Sequence, residues 1–388
     1  MKITNVNISR HIGPFGWCLV QIDTDDGVSG IGEAPLRTTV QPEELGRVRA
    51  ALAGQSPLNV EPLLLSLQRQ ANPAIINGIE MALLDLSGKQ MNAPLWAILG
   101  GKYRNRIRMY SDSHAGIDWD PIGFANRVRE VQETGQFLEV YRPEAFARHA
   151  REVIQHGFTA IKFDIDFPTP TRYDMVDRSL SPAELRGIVD AVAAVREAIG
   201  PDVDLAIDCH ARYNVADALR IAYEVEPFKL MWLEDPVPPR NVETMAKVTS
   251  KARVPICTGE SLQGRHGFQE LVTKQAADII QPDTPRSGSI REIKRIAELA
   301  EMYHISIAPH NMTSPVATLA AVHLCAAVPN FLALEFHCGG MPWWNDLAIR
   351  PKPILDRGYI LVPDAPGLGL ELDFDAVREH VNGPLWLE

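Results

Sequence analysis

Three short apolar runs, DLAIDCH, LMWLEDP and PICTGES, each close on an acid, and these acids (Asp208, Glu234 and Glu260) stand 26 and 26 residues apart. That spacing is the length of one strand, one helix and two loops. The alternation around them is regular. From Pro143 the pattern predicts helix 143–156, strand FTAIKFDI, helix 182–199, strand DLAIDCH, helix 215–225, strand LMWLEDP, helix 240–250 and strand PICTGES. It continues with helix 266–274, strand ADIIQPD, helix 288–302, strand ISIAPH, helix 314–327 and strand FLALEFH. With RIRMYSD from Arg106 as the first, eight apolar strands alternate with helices, which predicts a parallel sheet covered by helices and able to close into a barrel. A doubly wound open sheet would want a Gly-rich loop after its first strand, and RIRMYSDSHAG has none.

Before the barrel, residues 19–34 alternate apolar and polar about Asp26-Gly27, the pattern of a β-hairpin with a tight turn. Helical spacing follows in IINGIEMALLDLSGKQ, with a stop at Leu99-Gly100-Gly101. The expected division is an α+β cap from 1–105 together with the tail 351–388, and a catalytic barrel from 106–350. The segment 115–141 has no clear period, and Pro315 to Val328 reads as a buried helix too short to span a bilayer.

Composition narrows the partners. The 388 residues are 46% hydrophobic and 22% charged, ordinary for a globular protein, and the net charge of -11 argues against nucleic-acid or anionic-membrane binding. Five scattered cysteines without a CxxC pair indicate neither a disulfide framework nor a zinc knuckle, which fits a reducing cytoplasm.

The chemistry lies at the strand ends. Lys162 and Asp164 end the second strand, Asp208 and His210 the third, Glu234 the fourth, Glu260 the fifth, Asp283 the sixth, His310 the seventh, and Glu335 and His337 the eighth. A lone acid at a strand end is usually a cap and a lone His a core residue, but polar endings on nearly every strand mark the functional face of a barrel. Three carboxylates without a cysteine favour Mg²⁺ as a hard cation held by Asp208, Glu234 and Glu260. Asp283 and His310 on adjacent strands make a carboxylate–imidazole pair, with His310 as general base. Strand alternation would return His210 to the side of Asp208 as a second, acid imidazole. Glu335, if kept neutral by its acidic neighbours, would donate a hydrogen bond to an enolate oxygen.

The chain resembles the enolase superfamily and, within it, the mandelate racemase subgroup. The likeness rests on NGIEMALLDLSGKQMNAPLWAILGG, on WLEDP, TGES and QPD at strand ends, and on PDAPGLGLELD near the carboxyl terminus. It implies a (β/α)7β modified TIM barrel closed by an α+β capping domain, with the Mg²⁺ ligands and the dyad just named. Racemases of the subgroup carry Lys-x-Lys where this chain has Lys162-Phe163-Asp164, so two-base racemisation is not expected. DCHAR, with His210 two residues after the first ligand, is similar to galactonate and gluconate dehydratases. The expected function is dehydration of an aldonate or aldarate to a 2-keto-3-deoxy acid. The alternatives are a racemase or epimerase of a 2-hydroxy acid and a non-catalytic barrel that binds metal and acid sugar. Lys162, Asp164, Arg212, His337 and Trp17 are the expected substrate contacts. Trp17 belongs to a candidate lid, His11 to Trp17, and Arg172, Tyr173 and Arg178 in the loop after the second strand also face the substrate side. A homo-oligomer is expected.

Overall fold

The computed structural model describes residues 1–113, 133, 141–166, 179–339, 341–349 and 353–388. The hairpin forms as its alternation predicts. Strands β1 (Ile3–Ile8), β2 (Cys18–Thr24) and β3 (Ser29–Ala34) make an antiparallel sheet, with Gly27 at φ 82° in the turn between β2 and β3. Helices α1 (Pro42–Leu52), α2 (Val60–Leu67), α3 (Pro73–Met91) and α4 (Leu95–Ile98) follow.

Helix α3 starts where Asn72 accepts the Ala74 N–H ahead of Pro73 in the first turn, and it ends on Asn92 in the left-handed conformation. Its middle, from Gly78 to Gly88, is buried on every side because β3 lies directly against it. A Cβ at Gly32 would stand 2.1 Å from the Gly78 carbonyl oxygen, so glycine is what lets strand and helix touch backbone to backbone. Asp85 fastens this contact. Its buried carboxylate accepts from the Ile31 N–H (3.0 Å), Lys89 Nζ (2.7 Å) and the Leu368 N–H (2.8 Å), tying sheet, helix and carboxyl-terminal tail together.

Eight parallel strands form the barrel: β4 (Arg106–Asp112), β5 (Ala160–Asp164), β6 (Asp204–Asp208), β7 (Trp232–Glu234), β8 (Ile256–Thr258), β9 (Ile279–Ile280), β10 (Ser306–Ile307) and β11 (Leu334–Phe336). Strand β11 pairs with β4, and a parallel bridge from Ile307 to Phe331 closes the remaining gap. Between the strands, among the described residues, run α5 (Pro143–Gln155), α6 (Pro182–Ile199), α7 (Val215–Val225), α8 (Val242–Thr249), α9 (Gly264–Thr273), α10 (Ile290–Glu301) and α11 (Pro315–Ala326). This is the expected (β/α)7β arrangement. Local sequence sets the helix starts, as where Ser181 and Glu184 form a reciprocal capping box on α6.

The tail contains β12 (Ala348–Ile349), β13 (Leu355–Asp356), β14 (Tyr359–Leu361), β15 (Glu371–Leu372) and α12 (Phe374–Glu379). It straps both parts of the molecule: β14 pairs antiparallel with β4, whereas Gly367 and Leu368 hydrogen-bond to Ala93, Leu95 and Asp85 beside α3. Helix α11 is buried all round, as its apolar run predicts, and β3 of the cap packs on it.

Inside the barrel each strand or its flank gives one residue to a floor: Tyr110, Ala160, Ala206, Trp232, Cys257, Ile279, Ala308 and Ala333. Two aromatics, edge to face at 5.1 Å, fill the space that the small residues leave. Because side chains alternate along a strand, the residues two further on return to the interior one layer up. That layer reads Asp112, Lys162, Asp208, Glu234, Gly259, Gln281, His310 and Glu335.

Candidate active site

Lys162 stands at the centre of this polar layer. Its Nζ lies 3.3 Å from Asp208 Oδ2, 2.8 Å from Glu234 Oε1 and 2.8 Å from Glu335 Oε1, and all four side chains are buried. Burial opposes the lysine's charge, but the Glu234 and Glu335 carboxylates outweigh it and hold its pKa well above the usual value. The lysine in turn acts on Glu335. Burial would raise that carboxyl, yet Lys162 and His310 bring its pKa below the ordinary value, and the Asn311 N–H donates to its Oε2 at 2.9 Å. The reason expected for a neutral Glu335 therefore fails in this structure: its nearest neighbours are donors and cations that favour the anion.

His310 and Asp283 meet at 2.5 Å, Nδ1 to Oδ2, leaving Nε2 facing Glu260 Oε2 at 3.4 Å and Glu335 Oε2 at 3.7 Å. Burial by itself would lower the imidazole's pKa, but Glu335, Glu260 and Asp283 raise it to about 9. Positive charge brought to Glu260 would lower this value, since it opposes that carboxylate's pull on the proton.

His210 enters by another route than strand alternation. Strand β6 ends at Asp208, and His210 and Ala211 both take left-handed conformations, at φ 44° and 57°. The His210 N–H donates back to Asp208 Oδ1 at 2.8 Å. The ring then bonds Asp166 through Nδ1 at 2.9 Å and turns Nε2 to 3.5 Å from Asp208 and 4.0 Å from Asp164. With 41% of its side chain exposed, the ring is open to a substrate. Burial of the site would lower its pKa, but Asp208, Asp166 and Asp164 raise it well above the usual value, which favours the protonated ring.

Glu260 does not share the alternation that presents Asp208 and Glu234. Cys257 is the floor residue of β8, so the continuing inward position is Gly259, whose φ of 132° ends the strand and redirects the next residue. Glu260 arrives beside His310 and 3.6 Å from the Arg286 guanidinium.

Other expected contacts are placed variously. Arg212 is buried against Glu184 at 3.1 Å and Tyr213 at 3.3 Å. His337 pairs with Asp112 at 2.8 Å, and Phe15 of the cap packs edge-on against its ring at 5.5 Å. Trp17 has no exposed surface and gives its indole N–H to the Met312 carbonyl at 3.1 Å, so within the His11–Trp17 loop it is Phe15 that meets this mouth residue. Arg172, Tyr173 and Arg178 lie outside the described residues. Sequence reasoning missed Asp166, Gln281, Arg286 and Asn311. Arg286 was findable as the cation three residues after Asp283, whereas Gln281 shows only once the barrel's layers are counted.

The donors suit a hard divalent cation, being carboxylate oxygens around a buried ammonium already in contact with three of them. Among the described residues Asp164, Asp208 and His210 form a group whose potential ligand atoms all lie within 4.8 Å of one another.

Fold and site together define a member of the enolase superfamily. Residues 145–377 match the enolase C-terminal domain-like family, and residues 10–100 match the N-terminal domain of the mandelate racemase / muconate lactonizing enzyme family, to which this chain belongs. It is 37% identical to a D-xylonate dehydratase of Haloferax volcanii, over 98% of this chain and 89% of that one. It is 30% identical to a D-gluconate dehydratase of Thermoproteus tenax, over 94% of this chain and 68% of the relative. A crystal structure of a mandelate racemase/muconate lactonizing enzyme-like protein from Rubrobacter xylanophilus DSM 9941 is similar with a TM-score of 0.88 and 39% identity, covering 98% of both chains. No helix among the described residues is long and apolar enough to cross a membrane.

Proposed function

We propose that this protein is a Mg²⁺-dependent acid-sugar dehydratase that converts an aldonate, D-xylonate first among those to test, into its 2-keto-3-deoxy acid. The observation that carries the reading is the placement of two imidazoles across the carboxylate–lysine layer. His310 follows β10 and His210 follows β6, and three strands separate them on either side of the ring. Both touch the same acidic layer, His210 at Asp208 and His310 at Glu335. The similarity to D-xylonate and D-gluconate dehydratases supports the substrate class.

In this assignment Asp208, Glu234 and Glu260 hold the cation. His210 remains outside the ligand set, because a ring nitrogen bound to the cation would carry no proton to donate. A cation bound there would supply the positive charge that an enediolate needs. His310 takes the C2 proton, oriented through Nδ1 by Asp283, and the C–H electron pair moves into the enediolate. Its return breaks the C3–O bond as His210, charged by its three aspartates, protonates the leaving hydroxyl. The enol left behind tautomerises to the 2-keto acid. Lys162 keeps the acids together and offsets negative charge beneath the substrate.

The same proposal places the enzyme in the cytoplasm as a homo-oligomer; its five cysteines are free and buried, as a reducing compartment allows. Incubation with a panel of aldonic and aldaric acids, assayed for 2-keto-3-deoxy acid with and without EDTA, tests the activity. Metal-dependent product from an aldonate is expected, and none from any member would overturn the reading.

A further inference from the structure

Glu234 is the most fully enclosed of the three acids assigned to the cation, and its two oxygens are treated differently. Oε2 accepts from Trp232 Nε1 at 2.8 Å and from Gln281 Nε2 at 2.8 Å, whereas Oε1 accepts from the Lys162 ammonium, at 2.8 Å, and the carboxyl also lies within hydrogen-bonding reach of Asp208. All of these groups are buried. We propose that Gln281 and Trp232 are positioning residues that occupy Oε2 of Glu234 and so dedicate Oε1 to the cation; this rests on the assignment of Glu234 as a metal ligand.

The layering of the barrel explains why these two residues serve. Trp232 lies two residues before Glu234 on β7, so its ring belongs to the floor and its N–H reaches up to the carboxylate on the same strand. Gln281 comes from the polar layer itself, two residues after Ile279, and its amide crosses from the β9 side to Glu234 while also touching the Tyr110 hydroxyl at 3.3 Å. The amide accepts a loss to do this: Gln281 Oε1 is buried with no hydrogen-bond partner among the described residues. Turning the amide over would set that oxygen against the carboxylate, so the orientation is held by donation to Glu234. A carboxylate fixed through one oxygen cannot swing both toward an ion or turn away from it, and partners that orient metal ligands typically affect affinity about 10–100-fold.

The test is Mn²⁺ binding, followed by titration of free Mn²⁺ in electron paramagnetic resonance, on wild type, Gln281→Leu, Trp232→Phe and Glu234→Gln. Each donor-deleting variant removes one N–H from Oε2. Affinity is expected to fall about 10–100-fold in each. Melting temperature is measured alongside, since a merely structural role would lower it without moving the Mn²⁺ affinity. If Gln281→Leu does not fold, Trp232→Phe reads the same relationship from the other donor. Wild-type affinity within twofold in the folded donor variants, with binding lost in Glu234→Gln, overturns this inference alone. Undiminished binding in Glu234→Gln, or none by wild type, overturns the ligand assignment and this inference with it.

Discussion

Lys162 and Glu335 face each other at 2.8 Å, Nζ to Oε1, with both side chains closed off from solvent. The lysine also holds Asp208 and Glu234, so it is a countercharge shared by three buried acids. Removing one partner of a buried ion pair typically costs about 3–5 kcal/mol. Lys162→Met is therefore expected to lose about 3 kcal/mol or more in urea denaturation. Added Mg²⁺ should raise its melting temperature more than that of wild type, because a cation bound only by the folded state supplies the missing charge. A variant as stable as wild type would show that the acids need no such countercharge.

The two imidazoles should separate the two halves of the reaction. In D2O, His310→Asn is expected to lose C2-proton exchange along with turnover, by a factor of about 10²–10⁴. His210→Asn should lose dehydration while exchange continues, since proton removal does not need the acid. NMR of the recovered substrate distinguishes them, and loss of exchange in both variants would contradict the division of roles.

Glu33 joins cap to barrel by accepting from Ser314 Oγ at 2.5 Å and from the Ser314 and Ala317 N–H groups at 3.2 Å, at the start of α11. Burial, with the charge of Asp283, raises its pKa from 4.5 to about 7 despite those donors. The folded state then holds a proton that the unfolded chain has released, so this contribution is complete below pH 4.5 and is lost as pH rises toward 7. Over that window the loss amounts to about 3 kcal/mol. Subtracting the stability–pH curve of Glu33→Gln from that of wild type should isolate this downward slope, and parallel curves would refute it.

Gly32→Ala tests the strand–helix contact of the cap. A methyl placed 2.1 Å from the Gly78 carbonyl oxygen must push β3 off α3. Overpacking of this kind costs about 1–3 kcal/mol, read as a lowered denaturation midpoint. An unchanged midpoint would mean that the two backbones separate freely.

Much of this molecule was written in its periodicities. Helices 182–199 and 215–225 fall where the pattern predicts them, because apolar spacing and caps such as Ser181 act within a few residues. The strand-end acids were equally legible, since strands must end and their last polar residues stand out. Tertiary structure decided which way those residues face and what they meet. Asp208 and Glu234 lie inward by alternation from Ala206 and Trp232, whereas Glu260, at the same sequence spacing, enters only because Gly259 turns the chain. His210 likewise depends on a left-handed turn, and its partner Asp166 comes from just beyond the end of the neighbouring strand β5. The charge state favoured at Glu335 could not be read from the chain, because it is set by Lys162, 173 residues away in sequence and in contact only once the barrel closes. Local order follows from neighbours along the chain, but electrostatics follow from neighbours in space, and only the closed ring brings those together.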